Sequence, residues 1–404
     1  MSESKNKLLS FFEKSKYEIG MFAFLAVLFI LQCWTWADDG EWYETTFALS
    51  YTRFGFQSRM LIGTIMSFFK ERIGLSDVFA AQVITCTVLS LLITFLTGRI
   101  IRSSDEEMRK ALIVFGAVYL CSPVSFTLIY NYTILLDTFL YTIFVLTVLC
   151  ILNGKFIFLS PVLCALGVMT HQVFTLLYMP AVGIIMLYIF LRNKEKKTII
   201  ALVISCIAVG LLFIKFQFGQ TNLAFSNADD MAAYLQQFTD INVSTEMIRW
   251  EYFAENKDLF TDFIGRKLFD SLAKAVVMII ILLPILSVFT YLFISSIKRT
   301  ENRLEKFMFF LCILIPIVSI PVYIMSIDWD RWTGMIAFEQ MTVTAVFLFT
   351  KNEAFTESFK NLVLFFRRNK ALIVLMIVFY ASLETLCGGY LGNLGTEINL
   401  ILKQ

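Results

Sequence analysis

Long apolar runs alternate with short charged segments along the whole chain. The runs have the length that a membrane-crossing helix needs, about 20 residues. Reading them in order predicts eleven spans, over roughly 18–36, 77–98, 111–130, 134–153, 156–170, 172–191, 198–216, 275–296, 307–326, 333–350 and 371–388. The chain is thereby expected to be an all-α polytopic membrane protein, a single transmembrane domain over residues 1–404.

The connecting segments set the orientation. On one side fall "KNKLLSFFEKSK", "RIIRSSDEEMRK", "NGK", "RNKEKK", "SIKRTENRLEK" and "TKNEAFTESFKNLVLFFRRNK". They are basic almost every time, which places them in the cytoplasm. The N-terminus is then inside and the C-terminus outside.

Two outer segments break the simple pattern. Residues 39–76 follow the first span, and within them the stretch from Ser58 to Phe69 has a helical pattern too short to cross. It reads as an interfacial helix lying along the outer leaflet. Residues 217–274 form the longest loop. There "NADDMAAYLQQF" opens with an N-cap signal at Asn227 followed by Asp229 and Asp230. Further on, "STEMIRWEYFAENKDLFTDFIGRKLFDSLAKA" repeats apolar residues every three to four positions. The loop is predicted to be a small helical cap. The run 156–170 is short for a span and ends at "MTHQ", as helices do that line a cavity inside the protein.

Composition agrees with the runs. Hydrophobic residues make up 58% and charged residues 16%, and the mean hydropathy is +0.73. Soluble domains are nearer a quarter charged. The net charge of +2 gives no sign of a nucleic-acid partner. Eight cysteines are scattered through apolar runs without metal-ligand spacing or a disulfide framework. A single histidine, His171, excludes a multi-histidine metal site. The first apolar run has no small-residue cleavage site and reads as a retained anchor.

Once the topology is drawn, the polar chemistry gathers on the outer side. Asp38, Asp39, Glu41, Arg53, Arg59, Asp137, His171, Arg249, Asp328, Asp330 and Arg331 all fall there, with all six tryptophans. An interfacial belt would put tryptophan at both faces, so the one-sidedness favours an outward site. In "WADDGEWYE", Asp38 and Asp39 sit at the water boundary, where a carboxylate can act as a general base or hold a divalent cation. A solvated acidic loop explains them equally simply. In "RFGFQSRMLIG", Arg53 and Arg59 have the planar fork that grips phosphate oxygens, or they snorkel to headgroups. Asp137 lies within a span, where a carboxylate usually faces a cavity. His171 is either a packing residue or a proton acceptor and phosphate contact. "IDWDRWTG" concentrates Asp328, Trp329, Asp330, Arg331 and Trp332 in a few positions. An interfacial ion pair explains one charge pair and one tryptophan there, but not the density.

No P-loop, G-x-G-x-x-G turn, nucleophile elbow or H-E-x-x-H motif occurs. With "ADDGEWYE" followed by the short helix over 58–69, the layout resembles the membrane glycosyltransferases of the GT-C superfamily and the related Wzy-type polysaccharide polymerases. The resemblance implies that Asp39 or Asp38 is the catalytic carboxylate, and that Arg59 and Arg331, with His171, hold a lipid phosphate. Trp42, Trp329 and Trp332, with Asp137, Asp328 and Asp330, would line the sugar site. The resemblance is architectural and its motifs are short. Many GT-C enzymes add a soluble C-terminal domain, whereas here the tail is "CGGYLGNLGTEINLILKQ".

The function expected from this reading is extracytoplasmic transfer or polymerisation of a sugar from a polyprenyl-phosphate or -diphosphate donor to an acceptor hydroxyl. The setting would be the bacterial cytoplasmic membrane. The alternatives are a flippase or transporter of a lipid-linked saccharide, and a non-catalytic partner in an envelope assembly. The flippase is disfavoured by inner helix halves that read as nearly all Leu, Ile, Val and Phe.

Overall fold

The computed structural model describes residues 15–30, 41–120, 122, 124–125, 129–130, 135–218, 225–253, 268–325 and 329–386. Among these residues the fold is helical throughout, apart from one parallel bridge between Ile73 and Thr239.

The elements in chain order are α1 (15–30), α2 (Glu41–Ala48), α3 (Leu61–Ser67), α4 (Leu75–Ser103), α5 (Glu106–Leu120), α6 (Asp137–Asn153), α7 (Ser160–Thr170) and α8 (Met179–Asn193). They continue with α9 (Lys196–Phe218), α10 (Ala228–Leu235), α11 (Leu268–Arg299), α12 (Arg303–Val318), α13 (Trp329–Phe349), α14 (Glu353–Arg368) and α15 (Lys370–Leu386). Short helical turns at Tyr51–Phe54, Phe174–Leu177, Thr245–Ile248 and Ile320–Met325 link them.

Five of the described helices are long and apolar enough to cross a membrane: Leu75–Ser103, Lys196–Phe218, Leu282–Arg299, Arg303–Val322 and Arg331–Phe349. This is the construction of a membrane protein. Shorter apolar helices cover Asp137–Asn153, Ile157–Thr170, Met179–Asn193 and Lys370–Tyr380. The windows of the first four long helices are only 17–44% buried, whereas that of Arg331–Phe349 is 83% buried. α13 is therefore the axial helix, and the others wrap it.

Local chemistry explains several boundaries. Asp77 accepts the Gly74 N–H at 2.8 Å and starts α4. Asn227 accepts the Asp230 N–H at 2.8 Å and starts α10, as its sequence signal predicts. α14 arises where the sequence suggests only a basic connecting segment. Its Phe355, Ser358, Phe359 and Leu362 recur at helical spacing and are buried, with Asn352 as N-cap. Phe355 stacks on Phe347 of α13 at 5.1 Å between ring centroids, clamping this end of the bundle.

At the other end, residues 41–67 and 225–253 pack into a cap with its own apolar core. That core includes Leu49, Phe54, Met60, Met231, Leu235 and Ile248. The cap is pinned where the Ile73 N–H donates to the Phe238 carbonyl and the Asp240 N–H to the Ile73 carbonyl, both at 3.0 Å. Gly63 makes a close approach possible: a Cβ there would lie 2.0 Å from the Leu49 carbonyl oxygen. Only glycine lets α3 rest directly on the chain leaving α2. The helix predicted over 58–69 is thus shorter, Leu61–Ser67. One face of it, with Leu61, Ile62 and Thr64, is buried in protein, while Ile65, Phe68 and Phe69 are exposed.

Candidate functional site

Beneath the cap, a polar cluster forms around Arg331 in the first turn of α13. Its Nε donates to Asp137 Oδ2 at 2.8 Å and its Nη2 to Oδ1 at 2.9 Å, with the two side chains only 6% and 5% exposed. This is the two-point fork that only arginine offers a carboxylate. Asp137 reaches it from the first turn of α6. Two aromatic rings flank the guanidinium: Tyr43 of α2 at 5.6 Å and Trp332 at 4.9 Å.

His171 sits next to this pair. It ends α7 in an extended conformation, at the break between α7 and the turn Phe174–Leu177. Its ring meets Trp332 edge-on at 6.2 Å. The Val173 N–H donates to Nδ1 at 3.1 Å, which leaves the ring proton on Nε2. Burial and the nearby Arg59 and Arg331 guanidiniums hold the imidazole well below its usual pKa, so it is neutral.

Arg59 enters from the cap. Its backbone is left-handed, with φ +64°, a conformation costly for any residue with a side chain. The guanidinium pairs with Glu251 at 2.5 Å, both groups about one-fifth exposed, and its Nε is buried without a partner. Around it, Ser58 Oγ donates to Gln172 Oε1 at 2.7 Å, and the Tyr252 hydroxyl donates to the Ser58 carbonyl at 3.0 Å. The residue beside the histidine and the residue beside the arginine are thereby locked together.

Four sequence-predicted residues therefore meet: Arg59, Asp137, His171 and Arg331, with Trp332 between them. Asp137 is a counter-ion within the cluster and not a free base. Arg53 stands apart, lying 3.9 Å over the Phe238 ring and donating to the Glu71 carbonyl, a cap-holding role. Arg249 is exposed and faces Asp229 at 3.8 Å. Asp38, Asp39 and Asp328 lie outside the described residues. Trp42 belongs to α2, and Trp329 and Asp330 to α13, as helical backbone only. Among the described residues, no group of three or more His, Cys, Asp or Glu side chains is placed to hold a metal ion.

Sequence reading missed several participants. Tyr43 carries no signal beyond sitting in the aromatic-acidic stretch "EWYE". Glu251 and Gln172 acquire meaning only from chain partners across the fold. Glu339 had a visible signal, an acidic residue in the middle of an apolar run. It is fully buried on α13, and both of its carboxyl oxygens lack a hydrogen-bond partner. Its neighbour Gln340 donates to the Cys312 carbonyl at 2.9 Å.

Two clefts lie away from this cluster. One, of about 580 Å³, runs between α5, α11, α14 and α15, with Lys110, Arg367 and Lys370 along it. The other, of about 830 Å³, is polar and is bordered by Arg192, Arg299, Asn302, Glu305 and Asn352. None of the sequence-predicted site residues lines either one.

No family model, curated protein or solved structure matches this chain. The functional reading therefore rests on the residues themselves.

Proposed function

We propose that this chain is a polytopic glycosyltransferase of eleven spans in a bacterial cytoplasmic membrane, GT-C-like or Wzy-type, with its N-terminus inside and the cap outside. It would transfer a sugar or oligosaccharide from a polyprenyl-phosphate or -diphosphate donor to an acceptor hydroxyl. The observation that carries the reading is the Arg331–Asp137 fork, set between Tyr43 and Trp332 and adjoined by His171 and Arg59 under the helical cap.

Two guanidiniums and flat aromatic walls suit a phosphate joined to a sugar. In this mechanism Asp39 or Asp38 takes the proton of the acceptor hydroxyl as its oxygen attacks the anomeric carbon. The bond to the phosphate oxygen breaks with inversion. Arg59 and Arg331 then stabilise the charge that grows on the departing phosphate. Asp137 aims the Arg331 fork. Trp42, Trp329 and Trp332 stack on sugar rings, with Asp328 and Asp330 at the rim. A divalent cation at Asp38 and Asp39 would supply further charge neutralisation.

The test is sugar transfer from a synthetic polyprenyl-linked donor by the purified chain, with Asp39→Asn, Arg59→Ala and Arg331→Ala in parallel. Turnover by the wild type, lost in the three variants, supports the reading. A wild type without turnover on mono- and diphosphate donors overturns it.

One observation favours a second reading. Glu339 and Gln340 put polar groups near the midpoint of the axial helix, as a carrier of lipid-linked saccharide requires. Transbilayer movement of a fluorescent lipid-linked sugar in vesicles, without transfer, would establish that alternative.

A further inference from the structure

The cleft of about 580 Å³ between α5, α11, α14 and α15 is sorted by polarity along its length. On α5 its lining residues recur from Glu106 to Tyr119 at helical spacing, so one face of that helix borders it for about 20 Å. The charged ones, Glu106, Glu107 and Lys110, stand in the first turns of α5. Arg367 and Lys370 complete the mouth from the junction of α14 and α15. Deeper in, every lining residue is apolar except Tyr119. Val114, which lines the cleft, and its neighbours Ile113, Val374 and Leu375 are exposed. In a chain built to cross a membrane those side chains face hydrocarbon, so the cleft opens sideways to the bilayer.

Charge narrows the occupant. Lys110 pairs with Glu106 at 2.5 Å and Arg367 with Glu107 at 2.7 Å. Lys370 has no carboxylate partner among the described residues, so the mouth carries one uncompensated positive charge. At depth, the Tyr119 hydroxyl is buried without a hydrogen-bond partner. Helical side chains lean toward the helix N-terminus, which for α5 is the mouth. The cleft therefore suits a ligand with one negative charge at its mouth, a hydrogen-bond acceptor further in and hydrocarbon along the walls. A phospholipid with a single phosphodiester charge has those parts in that order. A soluble anion lacks the hydrocarbon, and a zwitterionic lipid adds a second cation to a mouth already in surplus.

We propose that this cleft binds one anionic phospholipid, with its phosphate at Lys370, an ester carbonyl accepting from the Tyr119 hydroxyl, and an acyl chain along α5 against Phe115 and Phe289. Basic pockets between membrane helices hold anionic headgroups in this way. The lipid sits at the end of the bundle away from the cap, where it ties α15 to α5 and α11. This inference goes beyond sugar transfer and does not depend on it.

The experiment uses the full chain in detergent, read by native mass spectrometry and thermal unfolding. The probes are phosphatidylglycerol, phosphatidylcholine with the same acyl chains, and water-soluble glycerol phosphate. Phosphatidylglycerol should bind about tenfold tighter than phosphatidylcholine and raise the unfolding temperature, and glycerol phosphate should not bind. Lys370→Glu, at an exposed position, should lower the phosphatidylglycerol affinity about tenfold, whereas Lys155→Glu, the same charge change outside the cleft, should not. A diether phosphatidylglycerol, which has no ester carbonyl, should bind the wild type and Tyr119→Phe alike, while the ester lipid binds the wild type more tightly. A phosphatidylglycerol with a diazirine in its acyl chain should crosslink the wild type within 111–119 or 373–376, and this holds even if a variant fails to fold. Equal affinity for the two phospholipids, an unaffected Lys370→Glu, binding of glycerol phosphate alone, or crosslinks confined to other helices would each overturn the lipid site. An ester preference that persists in Tyr119→Phe would overturn the carbonyl contact.

Discussion

Arg331 and Asp137 hold each other by two hydrogen bonds, 2.8 and 2.9 Å long, across 194 residues of sequence. The pair joins the axial helix α13 to α6 at the point where the cap meets the bundle. It is therefore both a structural bolt and the wall of the proposed site, and the two roles separate by mutation.

Removing one partner leaves a buried charge alone, at a cost of about 3–5 kcal/mol. Arg331→Met and Asp137→Leu are each expected to lower the unfolding temperature in detergent sharply. The double replacement should recover most of that loss while remaining inactive in sugar transfer. Recovery of activity along with stability would mean that the pair serves packing alone.

Arg59 and Glu251 make a different kind of pair, about one-fifth exposed on each side. Solvent screening limits its worth to roughly 1 kcal/mol or less. Glu251→Gln should leave stability almost unchanged and tighten binding of a polyprenyl diphosphate, because Arg59 no longer shares its charge. Arg59→Ala should weaken the same binding. Calorimetric titration of both variants checks the opposite signs.

His171 gives the cap end a pH dependence. Burial first, and then the Arg59 and Arg331 charges, hold its folded-state pKa well below the usual imidazole value of about 6.5. Between those two values the unfolded chain binds a proton that the folded chain does not, so stability falls as pH drops below about 6.5. His171→Asn keeps an acceptor for the Val173 N–H and removes the titration. Its unfolding temperature should stay flat over that acidic window while the wild type declines.

Gly63 offers a test of the cap alone. A methyl group at this position collides with the backbone carbonyls of Leu49 and Phe47. Gly63→Ala should cost about 1–3 kcal/mol and speed proteolysis within 41–67. Gly116→Ala, where a Cβ meets nothing within 4 Å, is the matched control.

Much of the helical framework was readable because burial in lipid forces long uninterrupted apolar runs. The predicted spans 77–98, 134–153 and 198–216 correspond to α4, α6 and α9, and the break at "MTHQ" falls at His171. The predicted span 172–191 is divided at Tyr178, where the turn Phe174–Leu177 hands over to α8. Pro180, in the first turn of α8, is the local signal of that break, since proline opens a helix but cannot continue one. The α14 helix was obscured by its charges, although Phe355, Phe359 and Leu362 kept helical spacing. The site was legible in part: Arg59, Asp137, His171 and Arg331 were singled out by being polar near apolar runs. Their pairing was not, since Asp137 chooses Arg331 and Arg59 chooses Glu251 through contacts distant in sequence. Glu339 was overlooked because one acid in a span barely lowers its average, and the window Arg331–Phe349 still reaches a mean hydropathy of 1.2.

The cap's divided core also sets a timetable for biosynthesis. Leu49, Phe54 and Met60 leave the ribosome long before Met231, Leu235 and Ile248, against which they pack. At usual elongation rates the wait is on the order of ten seconds. During that interval several later helices are made while the early half of the cap lacks the residues that cover its apolar side chains. The nascent chain therefore passes through a stage in which one half of the cap core waits for a protein partner not yet synthesised.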